Sequence, residues 1–219
     1  MAAMAERPER PHRPMRVPSS HFEAFEGGLD PAVQLRIAHD SARALVHRVR
    51  AASADDVDVV ERMVAYTDEH GLDTLAELWA QAGPRTLPGA LWRLSLLRAM
   101  IRQDARGTAL IYQRGSEVLA SSAHVVVAGA EAPTGPEEIL RLADQVLRGA
   151  YSGDFAVALD RAAAFCRVSA AGAADLADGA DAGFDDARAA AMTGRASRLA
   201  ESAADFTACA TLERRAALD

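Results

Sequence analysis

Apolar and small residues recur at alternating intervals of four and three along the last third of the chain. Such intervals place side chains along one seam of a helix, and the short segment between the two runs makes the helices antiparallel neighbours. Other helices must cover so long a pair, so we predict an all-α fold, a multi-helix bundle of about seven or eight helices with a long C-terminal antiparallel helical hairpin. The first seam holds Phe155, Leu159, Ala162, Cys166, Ser169, Ala173 and Leu176, and the second holds Met192, Ala196, Leu199, Ala203, Phe206 and Ala210.

The composition supports one helical domain preceded by an arm. The chain has 219 residues, and half of them are hydrophobic although only 5% are aromatic, because alanine supplies much of the apolar share and favours helices. Residues 1–18 contain prolines at 8, 11, 14 and 18, which predicts a disordered arm rich in proline and arginine. We predict a single all-helical domain over 19–219, with a candidate sub-boundary near 121–134.

Lysine and asparagine are absent from the chain, which indicates a high-GC bacterial genome and removes every lysine-dependent nucleophile or phosphate loop. The net charge of −7 argues against nucleic-acid binding over the whole surface but allows a local basic patch. No apolar run is long enough to span a membrane, and the N-terminal residues lack a secretory apolar region. We therefore predict a cytoplasmic protein that binds no membrane, with homo-oligomerisation left open.

The stretch "TLPGALWRLSLLRAMIRQDARG", residues 86–107, reads as one helix that is apolar around most of its surface. On a helical wheel, Arg98, Arg102 and (if the helix continues) Arg106 form its one solvent-facing stripe, a candidate partner-binding surface. Replacing all three with glutamine is expected to cost little stability. Arg93 falls inside the apolar arc, where a structural ion pair is favoured over a ligand site.

Three aromatic and basic side chains form a candidate ligand pocket, although the core is the commoner place for such tryptophans. They are Trp79, Trp92 and Arg93. The six histidines lack the spacing of zinc ligands, and His39 with Asp40 and Arg43 is a weak acid–base candidate. No nucleophile elbow, dinucleotide or phosphate-loop motif occurs. We predict no catalytic residue, no metal and no cofactor.

The two cysteines are predicted to be free thiols. If the hairpin turns near Asp181, Cys166 and Cys209 are offset by about twelve residues, or roughly 18 Å at 1.5 Å per residue. A disulfide requires α-carbons within about 7 Å of each other.

The runs "VPSSHFEAFEGG", "AYTDEHGLDTLAELWA", "LPGALWRLSLLRAMIRQD" and "GDFAVALDRAAAFCRVSAAG" resemble a family of small actinobacterial proteins of about this length. Its members often carry the label "DNA-directed RNA polymerase subunit beta". The resemblance covers most of the chain beyond the arm and implies an association with the transcription machinery. It transfers no functional residue to this sequence.

Three functions therefore remain open. The first is a non-enzymatic helical interaction or regulatory protein with a protein partner. The second is a transcription-associated factor that binds RNA polymerase or nucleic acid through Arg98, Arg102 and Arg106. The third is a helical domain that binds a small molecule near Trp79, Trp92 and Arg93.

Overall fold

A computed structural model of the chain describes residues 30–51, 79–120, 154–182 and 185–219, together with positions 137, 140, 141 and 144. These residues form five helices and no strand: α1 (Pro31–Ala51), α2 (Leu87–Gln103), α3 (Ala105–Val118), α4 (Phe155–Ala182) and α5 (Asp186–Arg214). The all-α prediction is confirmed, whereas the described residues do not support the predicted count of seven or eight helices. The predicted arm at 1–18 and the sub-boundary near 121–134 lie outside the described residues.

Helices α4 and α5 form the predicted hairpin, with 28 and 29 residues respectively. Asp185 caps the start of α5, where its side chain accepts a hydrogen bond from the backbone N–H of Arg188. Both seams lie largely inside the core, and α4 is buried around much of its middle. Ala162, Ala163 and Ala164 are consecutive yet fully buried, so α4 has neighbours on several sides and is the central element.

The register of the hairpin differs from the predicted one. Arg167 donates a hydrogen bond of 2.5 Å to the hydroxyl of Thr207, and Arg214 pairs with Asp160. The first contact brings Cys166 close to the level of Thr207, only two residues from Cys209. The thiols are free, as predicted, but the predicted offset of about twelve residues does not fit the Arg167–Thr207 contact.

Helix α3 crosses α4 at a point where both backbones come into contact. A Cβ atom added to Gly115 would overlap the carbonyl of Val168, and one added to Gly172 would overlap the carbonyl of Ile111. Glycine at both positions lets the two backbones approach more closely than any side chain would allow. Tyr112 stacks on Phe165 beside this crossing, with ring centroids 5.2 Å apart.

Helix α2 ends earlier than the sequence analysis predicts. Thr86 caps its start and Pro88 occupies its first turn, but the chain turns at Asp104, whose side chain accepts a hydrogen bond from the Gly107 N–H and caps α3. The single helix predicted over 86–107 is therefore two helices. Asp104 competes successfully as an N-cap because its short carboxylate satisfies an N–H that lacks an intrahelical partner.

Helix α1 packs against α2, and it buries a narrow stripe of Ala38, Ala42 and Val46. Trp79 lies fully buried beside it, and its indole N–H donates to the hydroxyl of Ser41 at 3.0 Å. Within the described part of the chain, no helix has the length and apolarity needed to cross a membrane.

Candidate functional site

The described residues enclose a groove of about 620 Å³ between α2 and α5. Side chains at both ends fix the antiparallel direction of the two helices. At one end Arg93 lies 4.0 Å from Asp205, and at the other Arg195 lies 3.8 Å from Asp104. The groove therefore extends over about twelve residues of α2, or roughly 18 Å at the helical rise. Such a volume lies within the range of small-molecule sites in proteins.

The walls of the groove are mainly apolar. Its floor is formed on α5 by Leu199 and Phe206, which are 4% and 1% exposed. Side chains of α2 form the opposite wall, and Leu96 at the rim is 43% exposed. The remaining lining residues are Ala80, Trp92, Arg93, Leu97, Met100, Gln103, Asp104, Arg195, Arg198 and Ser202. An apolar channel with a few polar groups suits an organic ligand, because apolar contact supplies affinity and polar groups set orientation.

Polar side chains concentrate at the end where α2 meets α3. Arg195 is 19% exposed; it lies 3.8 Å from Asp104 and donates to the Thr108 hydroxyl at 3.2 Å. Its Nε atom is buried and has no hydrogen-bond partner among the described residues. A buried guanidinium N–H without an acceptor is costly to the folded state.

Arg198 bends back along α5 toward the same end of the groove. An ideal Cβ on Gly194 would lie 3.4 Å from its Nη1 atom, so the guanidinium reaches over the preceding turn, where Arg195 also lies. Asp104 is the carboxylate that lines this end, and it is already engaged as the N-cap of α3. Two guanidinium groups against one carboxylate leave this end positively charged.

At the opposite end of the groove, two arginines also share one carboxylate, and both have described partners. Asp205 accepts a hydrogen bond from Arg85 at 3.2 Å and also faces Arg93, which donates to the carbonyl of Gly89. Arg93 thus takes part in a structural ion pair, as the sequence analysis favoured.

Two of the three residues predicted to form a pocket line this groove. Trp92 is half-buried in its wall and Arg93 lies beside it, whereas Trp79 belongs to the core against α1. Arg195 and Arg198 were not among the predicted site residues. Their spacing of three residues next to Leu199 places them on one face of α5, but finding them requires knowing that this face meets α2.

The predicted arginine stripe does not form. Arg98 is 7% exposed, and its Nε atom donates to Asp144 at 2.6 Å. Arg102 is exposed near the end of α2, and Arg106 is exposed on α3, beyond the turn at Asp104. The prediction that Arg98 faces solvent is wrong because the wheel gives angles around one helix and not the neighbours that approach it. Binding of a partner by Arg102 and Arg106 stays a prediction.

The acid–base candidate, His39 with Asp40 and Arg43, lies near the carboxylate of Asp219. His39 Nδ1 lies 3.9 Å from a carboxylate oxygen of Asp219, which pairs with Arg43, and Asp40 is exposed beside them. The described residues contain no group of three potential ligands from His, Cys, Asp and Glu placed to hold a metal ion.

The buried titratable groups away from the groove favour their neutral forms. Burial raises the pKa of the Cys166 thiol to about 12 and that of Cys209 to about 11, and it raises the pKa of the Tyr112 hydroxyl to about 12. A thiol reacts as its thiolate, so both cysteines are poor nucleophiles at neutral pH.

Comparison with known proteins adds no relative to this geometry. The sequence matches no described protein family and no curated protein, and no solved structure matches the chain. The suspected relationship to the actinobacterial family and its polymerase label therefore stays a prediction, and the site is interpreted from its own residues.

Proposed function

We propose that the protein is a helical binding module that takes a small organic molecule into the groove between α2 and α5. The observation that carries this proposal is the groove itself, about 620 Å³ with a buried floor at Leu199 and Phe206. An apolar ligand that covers this floor removes apolar surface from water, which is the main source of affinity in such sites. Trp92 in the wall provides a reporter of occupancy.

A ligand in the groove would also affect the pairing of α2 with α5 and the stability of the protein. It is formed by two helices, and its occupant would bridge α2 and α5 directly. A ligand that binds the folded state alone stabilises it with the logarithm of its excess over Kd, by about 2.7 kcal/mol at a hundredfold excess. We therefore expect a bound ligand to raise the stability of the protein.

The experiment uses a neutral, environment-sensitive dye such as Nile red. We expect the full-length protein to bind the dye with a blue-shifted emission and to melt several degrees higher with it. Ser202 lines the groove on α5, so Ser202→Trp should fill the groove and abolish dye binding. Ser197 is exposed on the same helix outside the lining, so Ser197→Trp is the matched control and should bind normally.

Equal binding by the two tryptophan variants would place the dye elsewhere and contradict the proposal. Failure of the wild-type protein to bind any neutral or charged amphipathic probe would also contradict it. Circular dichroism of each variant establishes that the fold is retained.

The second hypothesis, polymerase or nucleic-acid binding through the arginine stripe, has weaker support from the structure. It requires three arginines on one solvent-facing surface, whereas the Arg98 guanidinium pairs with Asp144 inside the fold. Binding through the exposed Arg102 and Arg106 stays a prediction. Salt-sensitive capture with polymerase or DNA would test it.

A further inference from the structure

We propose that the ligand of this groove is an elongated amphipathic monocarboxylic acid, with its carboxylate between Arg195 and Arg198 and its hydrocarbon body along Leu199 and Phe206. This inference rests on the proposed function and specifies the chemical class of its ligand. Three features of the groove support it: its charge, its shape and the position of Arg195.

The charge at the α2–α3 end of the groove fits one negative charge. Arg195 and Arg198 supply two positive charges, and Asp104 at 3.8 Å from Arg195 offsets one of them. A monoanion therefore neutralises this end, whereas a dianion such as a phosphate monoester would leave excess negative charge beside Asp104. The planar guanidinium also matches a carboxylate through paired N–H donors.

The shape of the groove fits an extended chain rather than a compact molecule. From Arg195 to Phe206 the floor runs along α5 for about 16 Å at the helical rise. Leu199 and Phe206 are buried on this path, and Met100 and Leu96 face it from α2. Apolar side chains on both walls exclude water along the chain, while the charged group remains at one end.

The third feature is the position of Arg195, whose Nε atom is buried in the protein and whose guanidinium tip lines the groove. Arg195 is already held by Thr108, so its guanidinium is fixed before a ligand arrives. A carboxylate in the groove would accept from the Nη atoms at the tip of this guanidinium. Binding then gains a charge-assisted hydrogen bond with little ordering of the side chain.

The test is calorimetric titration of the full-length protein with decanoate, decanol and decylamine, each below its critical micelle concentration. These probes share a ten-carbon chain and differ in head group. We expect decanoate to bind at least tenfold more tightly than decanol, and decylamine to bind most weakly because Arg195 and Arg198 repel it. Raising the salt concentration should narrow the difference between decanoate and decanol.

The variant Arg198→Gln removes one positive charge from an exposed side chain. It should weaken decanoate binding about tenfold or more and leave decanol binding unchanged. Arg188→Gln removes the same charge from an exposed position two turns before Arg195 on α5, so it is the matched control and should bind decanoate like the wild type.

The outcomes separate this inference from the proposed function. Equal affinities for decanoate and decanol, or an unchanged decanoate affinity in Arg198→Gln, would overturn the carboxylate assignment while the groove still binds the neutral probe. An equal loss in Arg188→Gln would show only long-range attraction and would also overturn it. Binding of none of the probes would overturn both proposals.

Discussion

The contact between Gly172 and α3 predicts a loss of stability when one methyl group is added to α4. An alanine Cβ at position 172 would overlap the Ile111 carbonyl oxygen, with the Ile111 carbon at 3.0 Å and the Gly115 nitrogen at 2.7 Å. These are backbone atoms, so no rotamer change relieves the overlap and the helices must separate. Overpacking typically costs about 1–3 kcal/mol, and three backbone clashes favour the upper end of that range.

The helical preference of alanine offsets part of this cost, by about 1 kcal/mol relative to glycine. We therefore expect Gly172→Ala to lower the free energy of unfolding by about 2 kcal/mol, or the melting temperature by roughly 4–8 °C for a chain of this size. The matched control is Gly179→Ala. Position 179 lies on the same helix, is exposed, and has no described atom within 4 Å of an added Cβ.

The control should raise the free energy of unfolding by about 0.5–1 kcal/mol, because it gains helical preference without a clash. Urea unfolding followed by circular dichroism at 222 nm measures both variants against the wild type. A Gly172→Ala protein as stable as Gly179→Ala would refute the close backbone crossing of α3 and α4. Equal losses of stability in both variants would show that the effect of glycine at position 172 does not come from its contact with α3.

Three further predictions follow from buried polar groups. Arg98→Gln should lower the free energy of unfolding by about 1–3 kcal/mol, because it leaves the partly buried Asp144 carboxylate without its charged donor. The control Arg106→Gln, at an exposed position, should leave the urea midpoint unchanged. Equal urea midpoints in the two variants would contradict the buried pair. A thiol reagent at pH 8 should titrate no cysteine in the native protein and two after denaturation, because Cys166 and Cys209 are buried and free. Rapid reaction of one thiol in the native protein would contradict this prediction. Burial raises the pKa of the Cys166 thiol from 9.0 to about 12, so the unfolded state loses its proton first as the pH rises and stability falls above about pH 9. Cys166→Ala should reduce that slope by up to about 1.4 kcal/mol per pH unit, and identical alkaline slopes in urea titrations would contradict the assignment.

The helical hairpin was predictable because its signal lies within one continuous stretch. Seam residues such as Leu159 and Phe206 are spaced to fall on one face of each helix, and both are buried. The register was not predictable from spacing alone, since an alanine-rich seam offers similar packing after a shift of one turn. Only contacts such as Arg167 to Thr207 distinguish the alternatives.

The groove was only half predictable. Trp92 and Arg93 drew attention as unusual residues on an apolar helix, but Arg195 and Arg198 look like ordinary solvated arginines until α5 is placed beside α2. The break at Asp104 had a local signal that the wheel ignored: a short acidic side chain followed three residues later by a backbone N–H that it caps. Spacing describes one helix at a time, whereas a site between helices depends on their pairing.

The pairing of α2 with α5 also has a consequence for folding kinetics. Helices α4 and α5 are adjacent in sequence, so their contacts close a short loop, whereas the walls of the groove come from residues on the order of a hundred positions apart. We expect the hairpin to form early and the groove to form after the transition state. A ligand in the groove would then leave the refolding rate nearly unchanged and slow unfolding, because it strengthens contacts that the transition state has not yet made. Stopped-flow chevrons measured with and without decanoate should therefore differ mainly in the unfolding arm.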